Sequence, residues 1–433
     1  MRRALATDIS SESRLSYGDS PTNLTATITE PGPTTEHGIA ITDLQPFTKY
    51  YYSVGTSTQT LAGADPDHFF VTSPSVGSLQ HVRIWAIGDS GYNTPKSAEV
   101  KNEYLNFAGN HPADVFLMLG DNAYGQGTDN QVTVGLFNNY EDIVRNTVLW
   151  PTPGNHDFAG VPESSDPATE TGPYYEAFEL PTQAEVGGVA SGTETYYSFD
   201  YANIHFVSIN ILSIPIMPGS TLSNWIAADL ASTNQDWVIV YLHYPSYSRG
   251  GRDSDTSYFM VQVREWINPI LEQGGADLVL AGHSHTYERS KLIDGHYGVA
   301  ATLTPANVLD PGDGDPLGDG PYLKPAGRTP HSGTVYVVNG VGENAHADGG
   351  ALDHPIMVTS FELEGSLVVD VTGGVLNANF VSRYGDILDS FSIQKSVALP
   401  SLRAGPVGAL ILLIAWFGAR ARRRVRATEF TSR

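Results

Sequence analysis

The sequence predicts an α/β protein preceded by a small all-β region. Residues 13–74 read as short strands separated by Pro, Gly, Asp and Thr, which is typical of a β-sandwich. From about residue 79, apolar strands alternate with helix-length amphipathic segments, as in a sheet that helices cover. Nearly every one of these later strands ends in a polar motif, which favours a functional site at the strand ends.

The composition is that of a soluble globular protein with a strongly acidic body. The 433 residues carry a net charge of −23, and seven of the 24 basic residues lie between Arg403 and Arg433. An acidic surface argues against a nucleic acid partner. The chain contains no cysteine, so disulfides and thiolate metal sites are excluded and any metal must bind to nitrogen and oxygen ligands.

The first strands of the chain resemble part of a fibronectin type III domain. The segments read "SRLSYG", "TATIT", "GIAITDL", "KYYYSVG" and "HFFVT". The run "LQPFTKY" (44–50) resembles the tyrosine corner of that family, with Tyr50 as the corner residue. A full sandwich needs about seven strands, and only about five fit within residues 1–77. We therefore hypothesise that Met1 is a misassigned start and that a signal peptide and the opening strands lie upstream. An in-frame stop codon just before Met1 would refute this.

The chain ends in an apolar segment with a basic tail, in the region 395–433. Residues 404–419, "AGPVGALILLIAWFGA", are free of charge and precede "RARRR". A membrane-spanning helix needs about 20 residues, so the run is marginal, and a buried C-terminal helix is the alternative. The basic cluster suits the positive-inside rule and would leave the body outside. The segment also resembles the sorting tails of bacterial surface proteins, which can be cleaved. We expect an exported or cell-surface bacterial protein that is anchored or sorted through this segment.

The α/β region is predicted to span residues 78–394. Its strands are expected at 81–87, 114–119, 146–150, 204–209, 237–242, 277–281 and 334–338. Its helices are expected at 95–109, 128–145, 220–232 and 257–273.

Five motifs follow these strands. They are "GDSG" with Asp89, "GDNAY" with Asp121 and Tyr124, "GNHD" with Asn155 and His156, "YLHYP" with His243, and "GHSH" with His283 and His285. Taken singly, each motif is an ordinary turn or helix cap. Together at the carboxyl ends of strands, they should converge in one crevice. Carboxylate and phenolate oxygens suit a hard or trivalent ion, whereas imidazole and amide groups suit a divalent transition metal. A shared carboxylate could hold two metals, the arrangement that catalyses in-line displacement at phosphorus.

The ordered motifs resemble the calcineurin-like metallophosphoesterase superfamily. The Tyr of "GDNAY" and the fibronectin-like region narrow the resemblance to the purple acid phosphatases, over about residues 13–394. This implies a core of two sheets in a β-sandwich flanked by helices. The resemblance also implies that Asp89, Tyr124 and His285 bind a ferric ion, Fe(3+), and that Asp121 bridges two metals. Asn155, His243 and His283 would bind a divalent ion, which is Zn, Mn or Fe in this family, and His156 would lie beside the phosphate.

The sequence departs from the family pattern after the fourth motif. The family usually has a further His there, which binds phosphate and protonates the leaving group. Here the stretch reads "HYPSYSRGGRDSD", and the expected position holds Arg252, with Arg249 nearby. An Arg stabilises phosphoryl charge but does not protonate an alkoxide near neutral pH. His156 would then be the only general acid, unless the enzyme favours esters with good leaving groups. A solvated loop is the alternative interpretation for both arginines.

Two other motifs carry weaker expectations. The acidic run "DPGDGDPLGDG" holds Asp310, Asp313, Asp315 and Asp319. Such spacing can bind Ca²⁺, but it does not match the EF-hand pattern, and a surface turn is the favoured interpretation. The run "GVGENAHADGG" follows a strand and could lie near the site, and His346 within it is interpreted as a loop histidine.

The leading hypothesis is a metal-dependent hydrolase of phosphomonoesters, an acid phosphatase-type enzyme that uses hydroxide from metal-bound water. A phosphodiesterase or nucleotidase is the alternative on the same site, because the motifs define the metals and not the ester. A non-catalytic surface binding protein is a third hypothesis, supported only by Arg252. The substrate, the second metal, the oligomeric state and the fate of the C-terminal segment stay open.

Overall fold

In the computed structural model, which describes residues 2–212 and 214–396, the N-terminal region is all β, as predicted. Its strands are β1 (Arg2–Gly18), β2 (Ala26–Ala40), β3 (Lys49–Gly55), β4 (Thr60–Gly63) and β5 (Phe69–Val71). They form one sheet in the order β2-β1-β3-β4, with β5 pairing on β3. No second sheet forms within residues 2–77, so the region is half of a sandwich.

The turn before β3 has the hydrogen bond of a tyrosine corner. The amide of Gln45 donates to the hydroxyl of Tyr50, with 3.1 Å between nitrogen and oxygen. A corner tyrosine bonds to backbone a few residues upstream in the same way. The Tyr50 ring stacks on Phe70 of β5, with 5.6 Å between ring centroids.

The apolar face of this sheet is turned toward the α/β region. The Tyr52 hydroxyl donates to the carbonyl of Arg145 at 2.8 Å, and the amide of Phe69 donates to the side chain of Asn146 at 3.2 Å. A cavity of about 480 Å³ lies between the two regions, lined by Leu15 and Tyr52 on one side and by Phe178 on the other. The α/β region therefore covers the face that a second sheet covers in a complete sandwich.

The α/β region contains sixteen strands within the described residues. They are β6 (Val82–Ile87), β7 (Val115–Leu119), β8 (Val148–Thr152), β9 (Tyr197–Tyr201), β10 (Ile204–Ile209), β11 (Trp237–Leu242), β12 (Leu278–Ala281), β13 (Tyr287–Ser290), β14 (Leu292–Ile293), β15 (Val308–Asp310), β16 (Tyr322–Pro325), β17 (Val335–Asn339), β18 (Met357–Phe361), β19 (Gly365–Thr372), β20 (Val375–Ser382) and β21 (Ile387–Ser396).

The helices fall within the predicted segments, apart from a short one that was not predicted. They are α1 (Pro95–Ala108), α2 (Asp129–Val132), α3 (Asn138–Val144), α4 (Pro173–Ala177), α5 (Thr221–Ser232), α6 (Tyr258–Gln262) and α7 (Asn268–Gln273). Helix α1 begins after Thr94, whose hydroxyl accepts a hydrogen bond from the Ser97 amide at 3.3 Å. It ends at Gly109, which adopts a φ of 56°.

Two predicted helices are each divided by a π-helical turn, at Thr133–Phe137 and Val263–Ile267. The first turn packs against the loop after β6. A Cβ atom at Gly135 would lie 2.0 Å from the carbonyl oxygen of Gly91. The wide turn and its glycine therefore let the two backbones touch.

Two seven-stranded sheets form the core, which confirms the expected α/β sandwich. One runs β18-β13-β17-β12-β11-β10-β9, and the other runs β16-β21-β20-β19-β6-β7-β8. Strands β6, β7 and β8 are parallel, and so are β10, β11, β12 and β17. Every residue of β7, β10, β11 and β12 is buried, as expected for strands covered on both faces.

A buried ion triplet joins the two sheets. The carboxylate of Asp277, at the start of β12, lies 2.6 Å from the Lys324 ammonium and 2.7 Å from the Lys395 ammonium. Lys324 lies on β16 and Lys395 on β21, and all three side chains are nearly inaccessible to solvent. Because a buried carboxylate is costly without partners, this triplet makes each sheet depend on the other.

The expected C-terminal anchor lies outside the described residues. The described residues through Ser396 form one compact unit. Among residues 2–212 and 214–396, no helix has the length and apolarity needed to cross a bilayer. The predicted boundary at residues 77 and 78 falls in the segment that joins β5 to β6.

A buried histidine on β10 is held between two carboxylates. The Nδ1 atom of His205 lies 2.7 Å from Asp200, and its Nε2 atom lies 2.8 Å from Asp229. Burial alone lowers the pKa of His205, but the hydrogen bonds to Asp200 and Asp229 outweigh it and raise the pKa to about 9. The imidazole is therefore cationic in the folded protein at neutral pH.

This arrangement predicts a pH-dependent stability. A folded pKa above the ordinary value of 6.5 stabilises the protein fully below pH 6.5, and this contribution is lost as pH rises through about 9. We expect the free energy of unfolding of the wild type, measured by urea denaturation, to fall over this window by up to about 3 kcal/mol more than that of His205→Gln. His81→Gln is the control, because His81 pairs with Asp370 at the exposed surface. Parallel pH profiles for the wild type and His205→Gln would contradict the prediction.

Candidate metal centre

The predicted site residues meet where strands of both sheets end. Their loops follow β6, β7 and β8 in one sheet and β11 and β12 in the other. The structure brings together all seven side chains for which metal ligation is predicted. They are Asp89, Asp121, Tyr124, Asn155, His243, His283 and His285.

The backbone at these strand ends adopts rare conformations at three of the polar residues, and two neighbouring glycines have no room for a Cβ atom. Asp89, Asp121 and His283 have φ values of 56°, 53° and 66°, a region that non-glycine residues rarely adopt. A Cβ atom at Gly120 would lie 2.4 Å from Nδ1 of His243, and one at Gly282 would lie 2.4 Å from a carboxylate oxygen of Asp89. The strained turns and the glycines together bring the polar groups of separate loops into contact.

On one side of the centre, three donor atoms form a triangle. The Tyr124 hydroxyl lies 3.1 Å from Oδ1 of Asp89 and 3.3 Å from Nε2 of His285. The same Nε2 atom lies 3.3 Å from Oδ1 of Asp89. A phenol, a carboxylate and an imidazole thus point at one another, as ligands of one ion would.

On the other side, the carboxamide oxygen of Asn155 is shared by two imidazoles. It lies 3.0 Å from Nδ1 of His283 and 3.2 Å from Nε2 of His243. The Tyr244 hydroxyl also donates to this oxygen at 3.4 Å. An amide oxygen and two ring nitrogens therefore form a second group of donors.

Asp121 lies between the two groups and is buried. Its Oδ1 atom lies 3.4 Å from Nε2 of His243, and Asp89, Asp121 and His243 offer ligand atoms that all lie within 4.8 Å of one another. Burial raises the pKa of Asp121, but His243 and the His156 contacts hold it well below its usual range. The carboxylate is therefore ionised and is placed where it can contact both groups.

The ionisation of the centre is consistent with the binding of a cation. Burial and then the charges of Asp89 and Asp121 raise the pKa of Tyr124 well above its usual value. Burial lowers the pKa of His243, but Asp121 outweighs it and raises this pKa to about 9. Burial and the neighbouring His243 lower the pKa of His283. Without a metal, the raised pKa values keep His243 and Tyr124 protonated beside the two carboxylates.

His156 lies at the edge of the centre with a defined orientation. Its amide donates to Oδ1 of Asp121 at 2.8 Å, and its Nδ1–H donates to the carbonyl of Gly125 at 2.7 Å. Since a carbonyl only accepts, the neutral ring carries its proton on Nδ1. Its Nε2 atom keeps a lone pair that can take up and return a proton.

The two arginines of the 243–255 stretch occupy different environments. Arg249 is engaged with Asp353 at 3.1 Å and Asp255 at 3.4 Å, so it stabilises the loop. Arg252 is half exposed at the rim, where its Nη1 atom donates to the carbonyl of Gly251 at 2.9 Å. Burial and the charge of His243 lower the pKa of His283, and the positive charge of Arg252 lowers it further.

Sequence reasoning missed Asp157, the last residue of "GNHD". This buried carboxylate accepts hydrogen bonds from the amides of Gly154 at 2.7 Å and of Asn122 and Ala123 at 3.2 Å. It therefore ties the loop after β8 to the loop after β7. The only sequence feature that indicated a role for Asp157 was its position directly after His156.

His346 is in a loop, as interpreted from the sequence, but this loop lies against the centre. Its Nε2 atom is 2.9 Å from Nδ1 of His285, on the side of that ring away from Asp89 and Tyr124. No local sequence pattern indicates this contact, because residues 285 and 346 come together only through β13, β17 and the sheet.

The acidic run 310–320 folds as the favoured surface turn. The carboxylates of Asp310, Asp313 and Asp315 accept amides two residues ahead at 2.8 to 2.9 Å. Asp319 caps the amide of Asp313 at 3.1 Å. Backbone amides within the turn therefore donate hydrogen bonds to all four carboxylates, as in an ordinary surface turn. The alternative interpretation as a calcium site gains no support.

Residues 82–287 match the model of the family described as calcineurin-like phosphoesterase. Purple acid phosphatase 21 of Arabidopsis thaliana is 28% identical over 261 residues, which cover 59% of this chain and 54% of the relative. A relative from the same plant, described as a probable inactive purple acid phosphatase 9, is 27% identical over 300 residues and 44% of its length. The chain thus spans about half the length of the curated relatives it matches.

A solved structure supports the fold. The purple acid phosphatase from yellow lupin (Lupinus luteus) seeds superposes with a TM-score of 0.65, over 91% of this chain and 72% of that one, at 17% identity. At this identity the likeness shows the fold alone. Residues 82–287, which match the family model, include all seven side chains of the centre.

The crowded strand ends predict that Gly120→Ala is strongly destabilising. Its Cβ would overlap His243, and its φ of 90° is unfavourable for alanine. We expect a loss of about 2 kcal/mol or more in the free energy of unfolding, measured by guanidinium denaturation. The matched control is Gly77→Ala, because Gly77 has a φ of 80° with no atom within 4 Å of the new Cβ. Equal losses for both variants would mean that the packing against His243 contributes nothing.

Proposed function

We propose that this chain, which carries a calcineurin-like metallophosphoesterase domain and resembles the purple acid phosphatases, hydrolyses phosphomonoesters at a dinuclear metal centre. One observation carries the proposal: two groups of oxygen and nitrogen donors lie on either side of the buried carboxylate of Asp121. This is the donor arrangement that a two-metal site requires.

The donor chemistry of each group fits a different ion. Asp89, Tyr124 and His285 would hold a ferric ion, since a phenol whose pKa is raised by burial and two carboxylates ionises most readily beside a highly charged cation. Asn155, His243 and His283 would hold a divalent ion, Zn, Mn or Fe, through an amide oxygen and imidazoles. Asp121 would contact both. When bound, the ions would supply Lewis-acid chemistry and lower the pKa of water.

The residues around this centre would control charge and protons during hydrolysis. Binding of the ions must release the proton of His243, so affinity should fall in acid. His156, oriented by the Gly125 carbonyl, would take up a proton on Nε2 and then donate it in a hydrogen bond to a phosphoryl oxygen or to the leaving group. Arg252 would add positive charge at the rim and stabilise the phosphoryl oxygens without donating a proton.

We also propose that the protein acts outside the cytoplasm, attached to or sorted through the segment after Ser396. The support comes from the sequence alone: the apolar run at 404–419 and the basic cluster that follows it. Fractionation of cells that express the full chain, with and without residues 397–433, tests this.

Asp121 provides the test of catalysis. In a metal-supplemented assay with p-nitrophenyl phosphate, we expect the wild type to turn over and Asp121→Ala to lose at least about 100-fold in kcat/KM and one metal ion per chain. Asp370→Ala is the control, because Asp370 lies on β19 at the surface and pairs with Arg83. A wild type no more active than Asp121→Ala on this ester and on a bis(p-nitrophenyl) phosphate diester would favour the non-catalytic binding protein. Turnover of the diester alone would favour a phosphodiesterase.

Tyr124 provides the test of the purple acid phosphatase assignment. A tyrosinate bound to ferric iron absorbs visible light, so an iron-loaded sample should be coloured and Tyr124→Phe should remove the band. Tyr104→Phe is the control, because Tyr104 is also buried but stacks on Trp85 with 4.1 Å between ring centroids. An unchanged band in Tyr124→Phe would show that Tyr124 only packs against its neighbours.

A further inference from the structure

The loop that follows β17 contacts the Nδ1 side of His285, opposite the Nε2 atom that faces the centre. Besides the 2.9 Å contact between Nδ1 of His285 and Nε2 of His346, the amide of His346 donates to the carbonyl of His285 at 2.8 Å. The two rings lie 4.6 Å apart at an angle of 65°. The backbone and the side chain of His346 thus both hold the segment that carries His285.

The surroundings of His346 favour one arrangement of its ring protons. Its Nδ1 atom lies 2.9 Å from Oδ1 of Asp348, an ion-pair distance that lacks the geometry of a hydrogen bond. The negative charge of Asp348 favours the proton of neutral His346 on Nδ1, and Nε2 of His346 then accepts from Nδ1–H of His285. His285 is then left with a lone pair on Nε2, the atom that lies 3.3 Å from Asp89 and from Tyr124.

The second oxygen of Asp348 reaches the other side of the rim. Its Oδ2 atom lies 3.6 Å from Nη1 of Arg252, and both side chains are about half exposed. The loops that carry them are in tight contact, because a Cβ atom at Gly350 would lie 1.8 Å from the carbonyl of Gly250. The amide of Leu352 donates to the carbonyl of Arg249 at 2.9 Å. Asp348 itself has a φ of 49°, a strained conformation that the loop maintains.

We propose that His346 and Asp348 are positioning residues that orient His285 toward the metal centre and hold Arg252 at its rim. The carboxylate of Asp348 acts on both through its two oxygens. The proposal rests on the proposed function, in which His285 is a ligand and Arg252 faces the phosphate. It adds a link between His285 and Arg252. Asp348 supports His285 through His346 and also holds Arg252, the residue at the position where the family usually has a histidine.

The first experiment measures metal retention, which needs no enzymatic activity. We compare wild type, His346→Leu and His346→Gln after loading with iron, and titrate each with a chelator while following iron release. His346→Leu should release iron at a chelator concentration about 10- to 100-fold lower. His346→Gln should stay within about threefold of the wild type, because its carboxamide oxygen can accept from His285. Wild-type retention in His346→Leu, or equal losses in both variants at equal thermal stability of the metal-free proteins, would overturn the role of His346.

The second experiment isolates Asp348 through the binding of inorganic phosphate to the iron-loaded protein. Asp348→Asn keeps an acceptor for His346 but loses the charge that holds Arg252. We expect it to retain iron and to raise the phosphate Kd by about three- to tenfold. Asp353→Asn is the matched control on the same loop, because Asp353 is exposed and pairs with Arg249 instead. An unchanged Kd in Asp348→Asn, or the same increase in Asp353→Asn, would overturn the role of Asp348. A protein that binds iron and phosphate as expected but hydrolyses no ester would refute the proposed activity and leave the positioning roles intact.

Discussion

Two buried carboxylates at neighbouring strand ends, Asp89 and Asp121, constrain the rest of the centre. Each is at most 2% exposed, and burying a charge without compensation costs more than a domain can supply. The sheets place imidazoles and a phenol around them, and the loop amides of His156 and His283 donate to them. The fold therefore concentrates negative charge at this site, which favours a bound cation.

The loops that surround the centre are held by residues that never reach it. Asp157 gathers the amides of two loops, and Glu343 accepts the amide of Tyr92 at 3.0 Å in the loop after β6. Tyr92 in turn stacks on Tyr124 with 4.4 Å between ring centroids. The ligand geometry is thus determined by a surrounding layer of hydrogen bonds and ring contacts, as is usual for metal sites that must bind without rearrangement.

The sequence was sufficient where periodicity and local motifs carry the information. The seven α/β strands and the four helical segments followed from apolar runs and caps, and the strand-end motifs followed from Gly–Asp and Gly–His pairs. It was insufficient where the cause is long-range. The C-terminal strands β19, β20 and β21 were not predicted, and their place beside β6 depends on tertiary pairing. The contact of His346 with His285 and the exposed position of Arg252 depend on how loops from distant strands meet, which local patterns do not encode.

The pairing of β6 with β19 has a consequence for how the chain folds in time. Residue Ala86 pairs with Leu367, almost the whole length of the domain away, and the buried Asp277 receives Lys395 only from the last strand. Such remote pairings are slow to form, because the intervening chain must first be ordered. During synthesis, β6, the strand that leads to Asp89, would expose an unpaired edge until β19 emerges. The edge of β6 is thus closed only after β19 has been synthesised, and a nascent chain that stalls before β19 would leave this edge unpaired and prone to aggregate.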